Sequence, residues 1–231
     1  MNEIKCEVTK SINVFIKAKN STVDLNEPLY AVNWFSTKIA WMYHLYNFLA
    51  NKSLTKIGGS AFFKGEIIKT ILDQKNTKRD FILIIRYPNG NGFKGLMENT
   101  CFKIVSLLRM FAVKEFSFGF TNKQLASDSN LIDNLYYVVH HFKSTSHAVY
   151  SQINDLLTDN VTVKYSGKMV AELYSKQTDK KIEEVPNVMD GVVIYESKSG
   201  SAILDMIAQS KYQKIIENLD SSYIGTVKRT I

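Results

Sequence analysis

A chain of 231 residues, 45% hydrophobic and 22% charged, has the composition of an ordinary globular protein and the length of one large domain or two of about 100 residues. It has no apolar run of about 18 residues to span a bilayer, and MNEIKCEVTK at the start lacks the apolar stretch of a secretory leader, so no membrane partner and a cytoplasmic location are expected. The formal net charge of +7 splits into 18 basic against 9 acidic residues over 1–125 (+9) and 11 against 13 over 126–231 (−2), with neither a basic run nor an aromatic RNA-binding motif, which argues against a nucleic-acid partner.

Residues 4–18 alternate apolar and polar positions, ending on Ile12, Val14, Ile16 and Ala18, and predict an N-terminal strand or hairpin. After a polar connection, residues 29–35 (LYAVNWF) read as a strand. KIAWMYHLYNFLANK then reads as a helix, with Ser36 or Thr37 as its N-cap. Residues 58–68 form a strand entered through glycines, and 81–87 a strand ended by Pro88 and the turn NGNG. Residues 93–112 are helical in one or two pieces, and 114–120 form a strand with Phe116, Phe118 and Phe120 on one face.

That order, β-α-β-β-α-β, begins again after the polar residues 122–134. Residues 135–143 answer 29–35, setting Asn33 against His140 and Trp34 against His141. A helix over 147–157, strands over 165–174 and 191–196, a helix over 202–218 and a last strand over 223–231 complete the second copy. The stretch 80–102 (DFILIIRYPNGNGFKGLMENTCF) thereby returns as 190–212 (DGVVIYESKSGSAILDMIAQSKY). A period near 100 residues is too long for a solenoid and implies two related units. The division is an extension over 1–27, a first repeat over 28–121, a linker over 122–134 and a second repeat over 135–231. Each repeat is expected to be a ferredoxin-like α+β unit with helices on one face of an antiparallel sheet. The bare apolar face of each sheet needs a partner, and the other copy is at hand.

GGSAFFKG, RYPNGNGF and MENTCF resemble the GG-x-x-x-x-(Arg/Lys)-G and Glu-(Phe/Tyr)-Pro-Ser pattern of the bacterial domain-of-unknown-function 1330 family, of the dimeric α/β-barrel superfamily. The resemblance covers about residues 29–121 well and 135–230 more loosely. It implies two ferredoxin-like βαββαβ repeats paired sheet to sheet as an intramolecular pseudo-dimeric α/β barrel, with further homodimerisation open. Where the family pairs a basic residue with an acidic one on adjacent strands, the first copy has Lys64 and Arg86 and the second Glu172 and Glu196. Like charges on neighbouring strands repel, so the four are expected to exchange partners across the pseudo-twofold, the alternative being solvated rim charges.

The chemistry is less legible. Gly90, Gly92 and Gly95 spell G-x-G-x-x-G between a strand and a helix, a dinucleotide-dependent oxidoreductase signature, but the second copy keeps only Gly200 and an antiparallel edge is not a Rossmann setting. No cofactor and no metal set are implied: Cys6 and Cys101 are far apart, and His140 and His141 point to opposite faces of a strand. The polar pair Asn33 and His140 is expected to face the cleft. With Arg86 and Glu196 these are the catalytic candidates; Trp34, His141, Lys64, Glu172 and Tyr87 are the candidates for ligand binding. Two functions fit: a cofactor-independent enzyme acting on a small aromatic or aliphatic metabolite by proton transfer, or a non-catalytic binding or assembly module. An open cavity with convergent polar groups favours the first, and a barrel filled by its own side chains the second.

Overall fold

The computed structural model describes residues 14–18, 26–76, 78–125, 135–144, 146, 148–175 and 190–231, the side chains of 14–18, 125 and 171–175 excepted. The elements are β1 (Val14–Ala18), β2 (Leu29–Thr37), α1 (Ala40–Lys56), β3 (Ser60–Asp73), β4 (Phe81–Tyr87), α2 (Gly90–Glu98), α3 (Thr100–Ala112), β5 (Val113–Leu125), β6 (Tyr136–Lys143), α4 (Val149–Asn154), β7 (Thr162–Ser175), β8 (Gly191–Ser197), α5 (Gly200–Ala208), α6 (Ser210–Glu217) and β9 (Ser221–Arg229). The strands run in the order β1-β7-β5-β2-β4-β3-β9-β6-β8, with β7 also pairing β8. Eight strands therefore close into a barrel, antiparallel at every ladder, and β1 lies at the edge of β7. Within it β5-β2-β4-β3 and β9-β6-β8-β7 are two ferredoxin-like sheets, as the repeat predicts.

Two long strands close the barrel. β3 pairs β4 from Ser60 to Glu66 and then β9 of the other repeat from Gly65 to Asp73. β7 does the same, pairing β8 up to Lys168 and β5 from Ser166 onward. Gly65 and Gly167 sit at the two changeovers, where the strand has a neighbour on each side. A Cβ on Gly65 would stand 2.1 Å from Val227, and one on Gly167 2.5 Å from the Tyr165 hydroxyl, so a side chain at either position would displace a packed neighbour. These glycines set the equivalence of the two copies: Gly65 lies opposite Ile82, and Gly167 opposite Val192, 110 residues on. Lys64 therefore corresponds to Ser166 and not to Glu172, which lies further along the β7 arm with Lys17 of β1 as its Cα partner.

The helices cover the outside. Leu29, Ala31, Phe118, Phe120 and Tyr87 pack on Phe93 and Leu96 of α2 and on Leu54 of α1. The second repeat buries Val138, Phe142, Val193 and Tyr195 under α4, α5 and α6. Phe116, Phe118 and Phe120 do share a face, in successive ring contacts. The expected cap of α1 differs: Ile39 occupies the N-cap with no side-chain bond, because Ser36 still belongs to β2 and its Oγ accepts from the Asp80 N–H at 3.2 Å. Both second helices are broken. Asn99 ends α2 in an extended conformation and caps α3 through Oδ1 to Phe102 N at 3.0 Å, and extended Gln209 makes the same break between α5 and α6.

The G-x-G-x-x-G stretch is the first two turns of α2. Asn89 Oδ1 accepts from Gly92 N at 2.8 Å, so the loop's own side chain occupies the helix start. β4, which leads into it, is antiparallel to both its neighbours, β2 and β3, so the parallel unit of a dinucleotide fold is not formed here. Nothing lies within 4 Å of a Cβ placed on Gly95. Gly95→Ala is therefore expected to raise stability by about 0.5–1 kcal/mol, through helix propensity alone. Thermal unfolding checks this; a loss instead would show that the glycine meets something.

Candidate functional site

Among the described residues, buried side chains crowd the barrel interior. β2 contributes Tyr30, Val32 and Trp34; β4 Ile82 and Ile84; β6 Tyr137 and Val139; β8 Val192 and Ile194, and the long strands add Phe63, Ile67, Tyr165 and Met169. Trp34 meets the His141 ring in a tilted contact at 4.5 Å and Tyr223 edge-on at 5.1 Å. At one side Thr121 Oγ1 and the Tyr165 hydroxyl are 2.6 Å apart, and Thr121 donates to the Tyr30 carbonyl. At another Arg229 donates to the Tyr137 hydroxyl at 3.1 Å and covers the Phe63 and Tyr137 rings. Side chains of both repeats interdigitate through the centre.

This reverses the expected orientation of the strand polar pair. Trp34 and His141 point into the barrel, whereas Asn33 and His140 point to the helices. Asn33 Nδ2 donates to the Ala31 and Leu83 carbonyls. His140 is fully buried between the Tyr212 hydroxyl of α6, 2.8 Å from Nδ1, and Ser222 Oγ, 2.6 Å from Nε2; Tyr212 in turn meets the Tyr195 hydroxyl at 2.8 Å. Burial pushes the His140 imidazole down to about 3, and burial together with His140 does the same to His141. Both rings are neutral in the folded chain, and His140 is the centre of a closed Ser-His-Tyr-Tyr chain within the second repeat.

The expected exchange of partners among the four charges depends in part on the Glu172 side chain, which lies outside the described residues. Alternation with Ile82 and Ile84 places Arg86 on the barrel side of β4, while Lys64, opposite Leu83, lies on the helix side of β3 with its ammonium over the Tyr43 ring at 5.2 Å. The two are therefore on opposite faces and have no repulsion to relieve. Arg86 makes no ion pair among the described residues. Glu196, 4% exposed, takes a hydrogen bond from Thr162 Oγ1 at 3.3 Å within its own repeat.

A cavity among the described residues lies outside the barrel, between the first sheet and its helices. About 210 Å³ is bounded by one stripe of α1 (Tyr46, Asn47, Ala50, Asn51 and Leu54), by Ala61 and Lys64 of β3, and by Leu83, Ile85 and Tyr87 of β4. Leu96 of α2, Phe102 of α3 and Ile231 complete it. The spacing of α1 explains the stripe: positions 46, 50 and 54 and positions 47, 51 and 54 recur every three or four residues on one side of the helix. Ala50 and Ala61 are too short to fill the gap between helix and sheet. The polar groups are the Tyr46 and Tyr87 phenols, two amides and Lys64. Burial raises both phenols above their ordinary range, moderated by the Arg109 guanidinium, so both stay protonated and able to donate. Burial also lowers the Lys64 ammonium. Two of the expected ligand-binding residues, Lys64 and Tyr87, thus come together here, while Trp34 and His141 come together inside the barrel. Among the described residues no group of His, Cys, Asp and Glu side chains has the arrangement of a metal site.

No protein-family model matches the chain, and no curated protein is similar to it. Solved structures are. A protein of Fusobacterium nucleatum subsp. nucleatum described as a "putative monooxygenase" superposes with a TM-score of 0.53 at 12% identity, over 89% of this chain and 94% of that one. An anthrone oxidase-like protein gives 0.53 and 12% over 94% of both chains. The chain has the dimeric α/β-barrel fold. Its barrel is built from two repeats of one polypeptide, and no helix among the described residues is long and apolar enough to cross a membrane.

Proposed function

We propose that this α/β barrel binds a small molecule in the pocket between α1 and the outer face of β3 and β4. The observation that carries the reading is the contrast between a barrel interior packed with its own side chains and a pocket of about 210 Å³ that ten apolar or aromatic residues would suit to a small ring or short chain. Its few polar groups converge from three elements, as in sites that orient a ligand. The two names reported for the neighbours, a monooxygenase and an anthrone oxidase-like protein, concern small molecules; at 12% identity they bear on the fold and leave the reaction open. The likeness to the domain-of-unknown-function 1330 family rests on the glycine-and-charge pattern alone.

The filled interior favours a second reading, a module whose barrel only joins two halves. The roles proposed for Asn33, His140, Arg86 and Glu196 change accordingly: Asn33 and His140 satisfy the sheet and helix layers, and Arg86 and Glu196 sit on the barrel side of β4 and β8. The test is Ala50→Trp, which puts an indole into the pocket from a half-exposed helix position. Native mass spectrometry of the purified chain is expected to retain a small molecule that this variant loses. Saturable binding of the uncharged probe N-phenyl-1-naphthylamine is expected to disappear with it. Unchanged probe binding in a folded Ala50→Trp variant would leave the module reading in place.

A further inference from the structure

We propose, building on that pocket reading, that the ligand is an anionic amphiphile: an apolar ring or chain carrying one carboxylate, sulfonate or enolate-type oxygen group that seats against Lys64. Lys64 is the charged side chain that lines the cavity; no Asp or Glu side chain does, and the positive charge of Arg109 reaches the phenols of both Tyr46 and Tyr87. Ile231 also lines it, and its main-chain oxygen is already held by Arg229 Nε at 2.6 Å. Lys64 is half-buried, and among the described residues its ammonium has no carboxylate partner and rests only over the face of Tyr43 at 5.2 Å. A cation withdrawn from water and left with a ring for company is stabilised by an arriving anion more than a hydrated one is, because it has less solvent to give up.

The donors around it match the same chemistry. Tyr46 and Tyr87 hold their protons and can only gain by donating to an anionic oxygen, and Asn47 and Asn51, one turn apart on α1, present amide donors on the same stripe. Leu54, Leu83, Ile85, Leu96 and Phe102 supply the apolar remainder. A neutral apolar ligand would use only that second half of the site and leave Lys64 desolvated and unpaired. A cation would meet the Lys64 ammonium. Lowering of the Lys64 ammonium by burial points the same way, since a bound anion is what would restore it.

The experiment is a fluorescence titration of the full chain with two probes that share one aromatic body. They are 1-anilinonaphthalene-8-sulfonate, which carries the anion, and N-phenyl-1-naphthylamine, which does not. Wild-type protein is expected to bind the sulfonate more tightly than the amine. Lys64→Met, which keeps the stem and removes the charge, is expected to weaken the sulfonate about 10-fold and to leave the amine within about two-fold, the difference a charge-assisted hydrogen bond makes. Lys64→Gln serves as a second variant with a polar but uncharged end. Equal binding of the two probes by the wild type, or equal losses of both in the two Lys64 variants, overturns the anion while leaving the pocket standing. If Ala50→Trp, folded by circular dichroism, binds both probes as the wild type does, the pocket reading falls first and the anion with it.

Discussion

Between pH 7.5 and pH 5 the folded chain is expected to lose on the order of 4 kcal/mol of stability, about 2 kcal/mol through each of His140 and His141. Both rings are buried in the middle of β6, and burial holds both near 3, against 6.5 for an exposed imidazole. The unfolded chain takes up a proton on each as the pH drops through 6.5, while the folded chain does not until about 3. Stability from the neutral rings is therefore complete above pH 6.5 and falls away as the pH goes from 6.5 to 3, at up to about 1.4 kcal/mol per pH unit for each ring. Carboxylates titrate mostly below this range, which leaves the upper window to the histidines. Urea unfolding midpoints at pH 7.5 and pH 5 measure the effect. His141→Phe, which keeps an aromatic face against Trp34, is expected to halve the pH dependence; stability that is flat over the window would mean that the rings are not buried as neutral groups.

The same two residues show where sequence reading stopped. Strand existence was legible because residues 29–35, 81–87, 135–143 and 191–196 are short β-rich runs bounded by turn residues, and the repeat was legible because one run of elements follows itself in the same order. Which face each side chain takes was not. β2, β6 and β8 are buried on both faces, between the barrel interior and the helices, so apolar residues occupy odd and even positions alike. A single polar residue in such a strand marks neither side. Asn33 and His140 went to the helix layer because carbonyl and hydroxyl partners wait there, in Leu83, Tyr212 and Ser222. The register of the long strands was misread for a different reason. Matching charges aligned Lys64 with Glu172, whereas the positions under geometric constraint are Gly65 and Gly167, each squeezed between two repeats. The pocket left almost no trace in the chain, because a cavity is a shortage of side chain shared among α1, β3, β4, α2 and α3. Its one local signal is Ala50 and the two asparagines on a helix stripe that otherwise reads as core.

Trp34→Ala is expected to cost about 3–5 kcal/mol, the range for removing a large buried aromatic side chain. Trp34 is 2% exposed and belongs to β2 of the first repeat, yet two of its ring neighbours, His141 at 4.5 Å and Tyr223 at 5.1 Å, belong to β6 and β9 of the second. The lost indole therefore opens a void on the seam between the halves, where neither sheet can relax without disturbing the other. Denaturant unfolding at pH 7.5 measures the cost, and a double-mutant cycle with His141→Ala isolates the ring pair, for which about 0.5–1.5 kcal/mol of coupling is expected. A loss below about 1 kcal/mol would contradict a packed interior. The shape of the transition carries equal weight. The β3 arm is laddered into β9 and the β7 arm into β5, so each half completes the other's sheet and neither can leave without exposing strand edges and the apolar barrel face of both. One cooperative transition follows for the wild type and for Trp34→Ala alike, the second shifted to lower denaturant; two separate transitions in either would mean that each repeat is stable without its partner.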